Sequence, residues 1–221
     1  MSDGVDERKR RTLRRFAALG AAGSFVGGAR AATDAEGETD ADAGTPSPDG
    51  DRSETNETRE AIRGYVATTP GAHFSKLRDD LRLGTGETQY HLRKLVDAAT
   101  IETAKDGEFR RYFPAGRFDA ADKRALGALR RETPRGVVLH LLREPDATGS
   151  RIADALDVSR PTISAAAGEL EDAGLLDRTD GYTLRTPERL ITLVVRYADS
   201  FGPDARAFAD DAAAYVRYDP E

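Results

Sequence analysis

The chain has 221 residues, a formal net charge of −6, three histidines, and neither cysteine nor tryptophan. Without cysteine there is no disulfide, no thiolate nucleophile and no thiolate metal site, and His73, His91 and His140 lie too far apart in sequence to suggest a ligand cluster. No GxSxG, P-loop or HExxH pattern occurs, so no enzyme chemistry, cofactor or metal is expected.

Residues 1–31 are basic, then apolar. Arg10-Arg11-Thr12-Leu13 precede the small-residue run FAALGAAGSFVGG, and Ala29-Arg30-Ala31 fits a small-x-small cleavage site. The segment resembles a twin-arginine export signal. Its apolar run falls short of the ~20 residues a membrane span needs. Four readings stay open here: a cleaved signal, an uncleaved tether to the membrane through residues 10–31, a basic, weakly amphipathic arm reaching phosphates on a cytoplasmic protein, and a start assigned too early.

Residues 32–57 are acidic, rich in Gly, Pro and Ser, and almost free of large apolar groups. Such a composition predicts a disordered linker, because too little surface can be buried to offset the entropy of ordering. It ends in a glycosylation sequon, Asn56-Glu57-Thr58.

From residue 58 the pattern is periodic. Ala61, Ile62, Tyr65 and Val66 have helical spacing, and FSKLRDDLRL predicts a second helix burying Phe74, Leu77 and Leu81. A third follows Gly84-Thr85-Gly86 and buries Leu92, Leu95 and Val96. Two strand-like runs then flank Asp106-Gly107, a dipeptide suited to tight hairpin turns.

The same parts recur. Val137 repeats Ala61 at a shift of 76 (137 − 61), Ile152 repeats Leu77 at 75 (152 − 77), and Asp180-Gly181 repeats Asp106-Gly107 at 74 (180 − 106). The one-residue slips fall in loops, where length changes cost little. Between the copies DAADKRALGALRRE predicts a charged connector helix. After them, PERLITLVVRYADSF carries Leu190, Leu193, Val194, Tyr197 and Phe201 on one stripe, and a last segment carries Phe208, Ala212, Tyr215 and Val216.

Helix, helix, helix, hairpin is a winged helix-turn-helix. The expected fold is therefore mainly α with small β-hairpins: winged units at 58–116 and 133–186, a connector at 117–132, C-terminal helices over 187–221, and a disordered N-terminal region. In such a unit the third helix enters the major groove with its N-terminal turn nearest the bases. In the second copy Ser159 suits an N-cap, Pro161 suits the first helical turn and Gly174 suits the helix end. The string DVSRPTIS followed by ELEDAGLL resembles MarR/ArsR-type winged-helix regulators, most specifically over residues 149–176. The Arg-rich, Lys-poor, acidic composition resembles proteins of halophilic archaea, in which phosphate contacts weaken as salt rises.

The resemblance implies a sequence-specific DNA-binding transcriptional regulator with double-stranded DNA as partner. In the first unit the candidate contacts are Thr88, Gln89, His91, Arg93 and Lys94 on helix three, with Lys105, Arg110 and Arg111 in the wing. Gln can pair two-pronged with adenine and Arg with guanine, while wing cations suit phosphate. In the second unit they are Ser159, Arg160, Thr162 and Ser164, followed by Ala-rich sequence with little to read bases. The first unit is thus the expected reader. The rival readings are a winged-helix protein-contact module and an exported surface protein. The C-terminal stripes either pack on the second unit or pair two chains as a homodimer.

Overall fold

The computed structural model describes residues 3–22 and 48–215, with side chains described over 7–19 and 55–215. It is mainly helical with two small antiparallel sheets. Helix α1 (Asp3–Ala22) packs along α2 (Pro48–Thr68), followed by the short strand β1 (Ala72–His73), α3 (Phe74–Leu81) and α4 (Thr85–Asp97). Strands β2 (Ile101–Asp106) and β3 (Phe109–Pro114) form the first wing, and β1 adds to the outer side of β3. Helix α5 (Ala120–Leu129) connects to α6 (Glu132–Arg143), α7 (Gly149–Leu156), α8 (Arg160–Asp172) and a second wing, β4 (Leu176–Asp177) with β5 (Thr183–Leu184). Helices α9 (Pro187–Phe201) and α10 (Pro203–Asp211) and a single 3-10 turn (Ala212–Ala214) follow.

Each unit owns an apolar core laid down by the repeated spacing. Ala61, Ile62, Tyr65, Val66, Leu77, Leu81, Leu92 and Leu95 are buried in the first. Val137, Val138, Leu141, Leu142, Ile152, Ile163 and Leu170 are buried in the second. The second core also takes Phe113 from the first wing, Leu126 and Leu129 from the connector, and Leu190, Val194, Tyr197, Phe201 and Phe208 from the C-terminal helices. Val96, expected inside, is 36 % exposed.

Two boundaries differ from expectation. Residues 48–57 belong to α2 and are not linker, and residues 23–47 lie outside the described residues. At the end of this stretch Glu57 has a basic partner in α1: Arg14 Nε lies 3.3 Å from Glu57 Oε1 across the α1–α2 pair. The sequon therefore falls within a helix, with Thr58 buried. In the signal-like segment, residues 3–22 form a docked helix whose Leu13 is 4 % exposed and whose Phe16 ring meets Tyr65 edge-on at 5.1 Å. Ala29–Ala31, the cleavage-site residues, lie outside the described residues. Among the described residues no helix is long and apolar enough to cross a membrane.

Connector arginines tie the units together. Arg130 is half-buried: it donates through Nε to the Pro70 carbonyl (3.0 Å) and through Nη1 to the Ser200 carbonyl (2.6 Å), and stacks 4.4 Å from the Phe201 ring. Arg131 pairs with Asp106 of the first wing (3.7 Å) and with Glu169 of α8 (2.8 Å).

Candidate nucleic-acid interface

Helix α4 begins at Gly84, whose N–H donates to the Glu87 carboxylate at 3.3 Å. This one-way half of a capping box helps to fix the helix start. Thr88, Leu92 and Leu95 then turn inward at helical spacing. Gln89, Tyr90, Arg93 and Lys94 remain on the outer face, with Lys94 Nζ 5.9 Å above the exposed Tyr90 ring. Arg93 Nε stands 3.9 Å from Asp97, at the edge of ion-pair distance and fully in solvent.

The wing supplies the facing wall. Strands β2 and β3 pair Thr103 with Tyr112 and Lys105 with Arg110. Paired residues share a sheet face and alternate residues change face, so these four stand on one side. Between that side and α4 lies a groove of about 510 Å³, lined among others by Phe74, Gln89, Arg93, Thr103, Arg110 and Tyr112. Gln89, Lys105 and Arg110 make no polar side-chain contact with the other described residues, so their donors are free for a ligand.

Three expected contact residues sit elsewhere. Thr88 is fully buried and donates to the Gly84 carbonyl at 2.8 Å. His91 is 5 % exposed, and burial holds its pKa below the ordinary imidazole value. Both occupy the inward stripe of α4, which runs 88, 91, 92 and 95. Arg111 is 2 % exposed, because as Arg110's strand neighbour it must point to the opposite face. There its Nε meets Asp106 Oδ2 at 2.5 Å and its Nη1 donates to the Gly71 carbonyl at 2.9 Å. Its counterparts in the groove, Thr103 and Tyr112, were legible from the same alternation. Phe74 and the exposed wing-tip Phe109 carry no polar group to draw notice, and Phe74 was expected in the core.

The second unit presents less. Ser159 caps α8 by accepting from the Thr162 N–H (3.3 Å), and its hydroxyl lies 2.8 Å from the Thr162 hydroxyl. Arg160, Thr162 and Ser164 are exposed, and Arg160 forms no ion pair with the described residues. Beyond Ala165 the helix turns acidic, with Glu169 held by Arg131 and Glu171 facing Arg178 at 3.6 Å. In the wing Arg185 is bound to Asp177 (2.9 Å), and the Thr179 N–H and hydroxyl help hold that carboxyl at about 2. The second wing's arginines are thus already engaged. The C-terminal stripe over 190–201 is buried within the chain, the first of its two readings. No group of metal-ligating side chains gathers among the described residues.

Fold and groove define the class: this is a tandem winged helix-turn-helix protein with a MarR-like second unit. Residues 56–126 match a family model described as an N-terminal HTH domain, and residues 135–183 match the MarR family. The chain is 31 % identical over 121 residues to a curated protein of Methanocaldococcus jannaschii named an uncharacterized HTH-type transcriptional regulator. That similarity covers 55 % of this chain and 30 % of the relative, so the chain spans less than a third of the relative it matches. No solved structure matches the chain.

Proposed function

We propose that the chain is a sequence-specific DNA-binding transcriptional regulator acting in the cytoplasm, with the first unit as the reader. The observation that carries this reading is the α4–wing groove, where Gln89 and Arg93 share a wall-to-wall space with Arg110 and keep their donors outward. A major groove admits one helix, and bidentate Gln–adenine and Arg–guanine pairs supply ~1–3 kcal/mol of discrimination each. Arg110 and Lys105 have the charge and position for the flanking phosphates. The MarR-like unit adds contacts through Arg160 and the capped turn of α8, while its acidic distal half gives fit without base readout. The named relative, an HTH-type transcriptional regulator, agrees with this assignment.

The test is selection of a preferred duplex from a random pool by the full chain, followed by mobility-shift titration at fixed salt. Replacing Gln89 and Arg93 together by Ala should weaken binding to the selected duplex by about 2 kcal/mol and flatten its preference over competitor. Arg160→Ala should cost less. A reversed ranking overturns the assignment of the first unit as reader, and the lack of any preferred duplex overturns the regulator.

A further inference from the structure

We propose that helix α1 is part of the nucleic-acid interface, its basic stripe holding backbone phosphates beside the site entered by α4. This rests on the reading of the first unit as a DNA reader. Helix α1 lies outside both matched segments, 56–126 and 135–183.

Charge is the first ground. Asp3–Ala22 holds six basic residues and three acidic ones, a net of +3 (6 − 3), in a chain whose total is −6. The helix docks through Leu13 and Phe16, and its contact with the recognition helix is specific. Lys9 Nζ lies 3.0 and 3.1 Å from the two carboxylate oxygens of Glu87.

That ion pair sits at a telling place. Glu87 is needed to cap α4, yet it puts a negative charge on the helix turn that approaches the phosphates most closely. Uncompensated, it would repel the duplex. The Lys9 ammonium offsets that charge and brings the basic end of α1 to the entering end of α4.

Arg8, next to Lys9, begins a stripe that continues through Arg11 and Arg15, at i, i+3 and i+7. All three are exposed, and none is used in docking. Arg11 has only the solvent-exposed Glu7 at 3.5 Å, a pair that a phosphate can replace at little cost. Exposed guanidiniums of this kind suit phosphate oxygens, and such contacts carry no sequence information.

The experiment uses the full chain, a random-sequence duplex and a salt series, comparing wild type with Arg8→Ala/Arg11→Ala/Arg15→Ala. Each phosphate contact contributes ~0.9 to the slope of log affinity against log salt. The triple variant should lose roughly 2–3 of that slope and keep the wild-type melting temperature, since all three side chains are exposed and the one ion pair among them, Arg11–Glu7, lies in solvent. Leu13→Asp, which undocks α1, should show a similar loss. An unchanged slope in the triple variant, with wild type binding the duplex, overturns the inference and leaves the reader assignment standing. A wild type without duplex affinity overturns both. A parallel arm titrates phosphatidylglycerol–phosphatidylcholine vesicles. Arginine-dependent binding there, with duplex binding unaffected by the variant, assigns the stripe to a membrane surface and also overturns the inference.

Discussion

Arg111 and Asp106 face each other across the first wing at 2.5 Å, on the side of the sheet turned away from the groove. Gly127 of the connector makes room for them: a Cβ there would stand 3.0 Å from the Asp106 carboxylate and 3.2 Å from Arg111 Nε. Arg110, one residue earlier, is exposed on the groove side. Two adjacent arginines therefore have separate tasks, one holding the wing to the body and one presented outward.

Their variants should separate accordingly. Arg111→Ala leaves the Gly71 carbonyl and Asp106 without their buried cation, a loss of about 3 kcal/mol by the cost of breaking a buried pair. Chemical denaturation measures it. Arg110→Ala should leave the unfolding midpoint within about 0.5 kcal/mol of wild type and lower the salt slope of duplex binding by about 0.9.

The helices that precede α4 and α8 end alike. Arg82 (φ 57°, ψ 39°) and Asp157 (φ 53°, ψ 45°) close α3 and α7 in the left-handed region, 75 residues apart (157 − 82). A side chain there costs roughly 1–2 kcal/mol, less for Asp, whose short polar group bonds locally. Glycine removes that strain but brings its own entropy cost. Arg82→Gly should raise stability by about 0.5 kcal/mol and Asp157→Gly by less. The effects should add, since the sites share no partners. A destabilised Arg82→Gly would count against the strain.

Acid should weaken the first unit through two histidines. Burial is the largest cause holding both His91 and His73 below the ordinary 6.5. The unfolded chain then takes up protons first as pH falls below 6.5, so stability drops with pH there and is unaffected by these groups above it. His73 adds a direct reason: its Nδ1 accepts the Lys76 N–H at 3.4 Å, which requires the unprotonated nitrogen. A His73→Asn/His91→Gln variant should show a shallower fall in melting temperature between pH 7 and 5, bounds that lie about half a unit above and about one and a half units below the free imidazole value. An equally steep fall would assign the acid sensitivity to carboxylates.

Much of the fold was written in spacing. The shift near 75 placed Ile163 where Thr88 lies, and both are buried. Ser159 caps α8 as its type and position foretold. What spacing carried but simple charge reading overlooked was side. His91 lies on the same inward stripe as Thr88 and Leu95, and Arg111 had to oppose Arg110, yet both were expected in the groove because they are polar. The docking of α1 was not legible in this way. Among its described side chains only Leu13 is buried, with Phe16 partly so, and its ion pair to α4 joins residues 78 apart in sequence (87 − 9). Composition likewise hid the helix over 48–57, since an acidic stretch poor in large apolar residues reads as unstructured.

Arg130 and Arg131 give the tandem a rotational phase. With Pro70, Ser200, Asp106 and Glu169 all gripped from one short connector, neither unit can swivel about the other without breaking several bonds at once. On the proposed DNA-binding reading, two units joined this way form a fixed gauge along the double helix. Inserting about five base pairs, half of a ~10-bp turn, between their footprints would rotate one contact to the far side of the duplex.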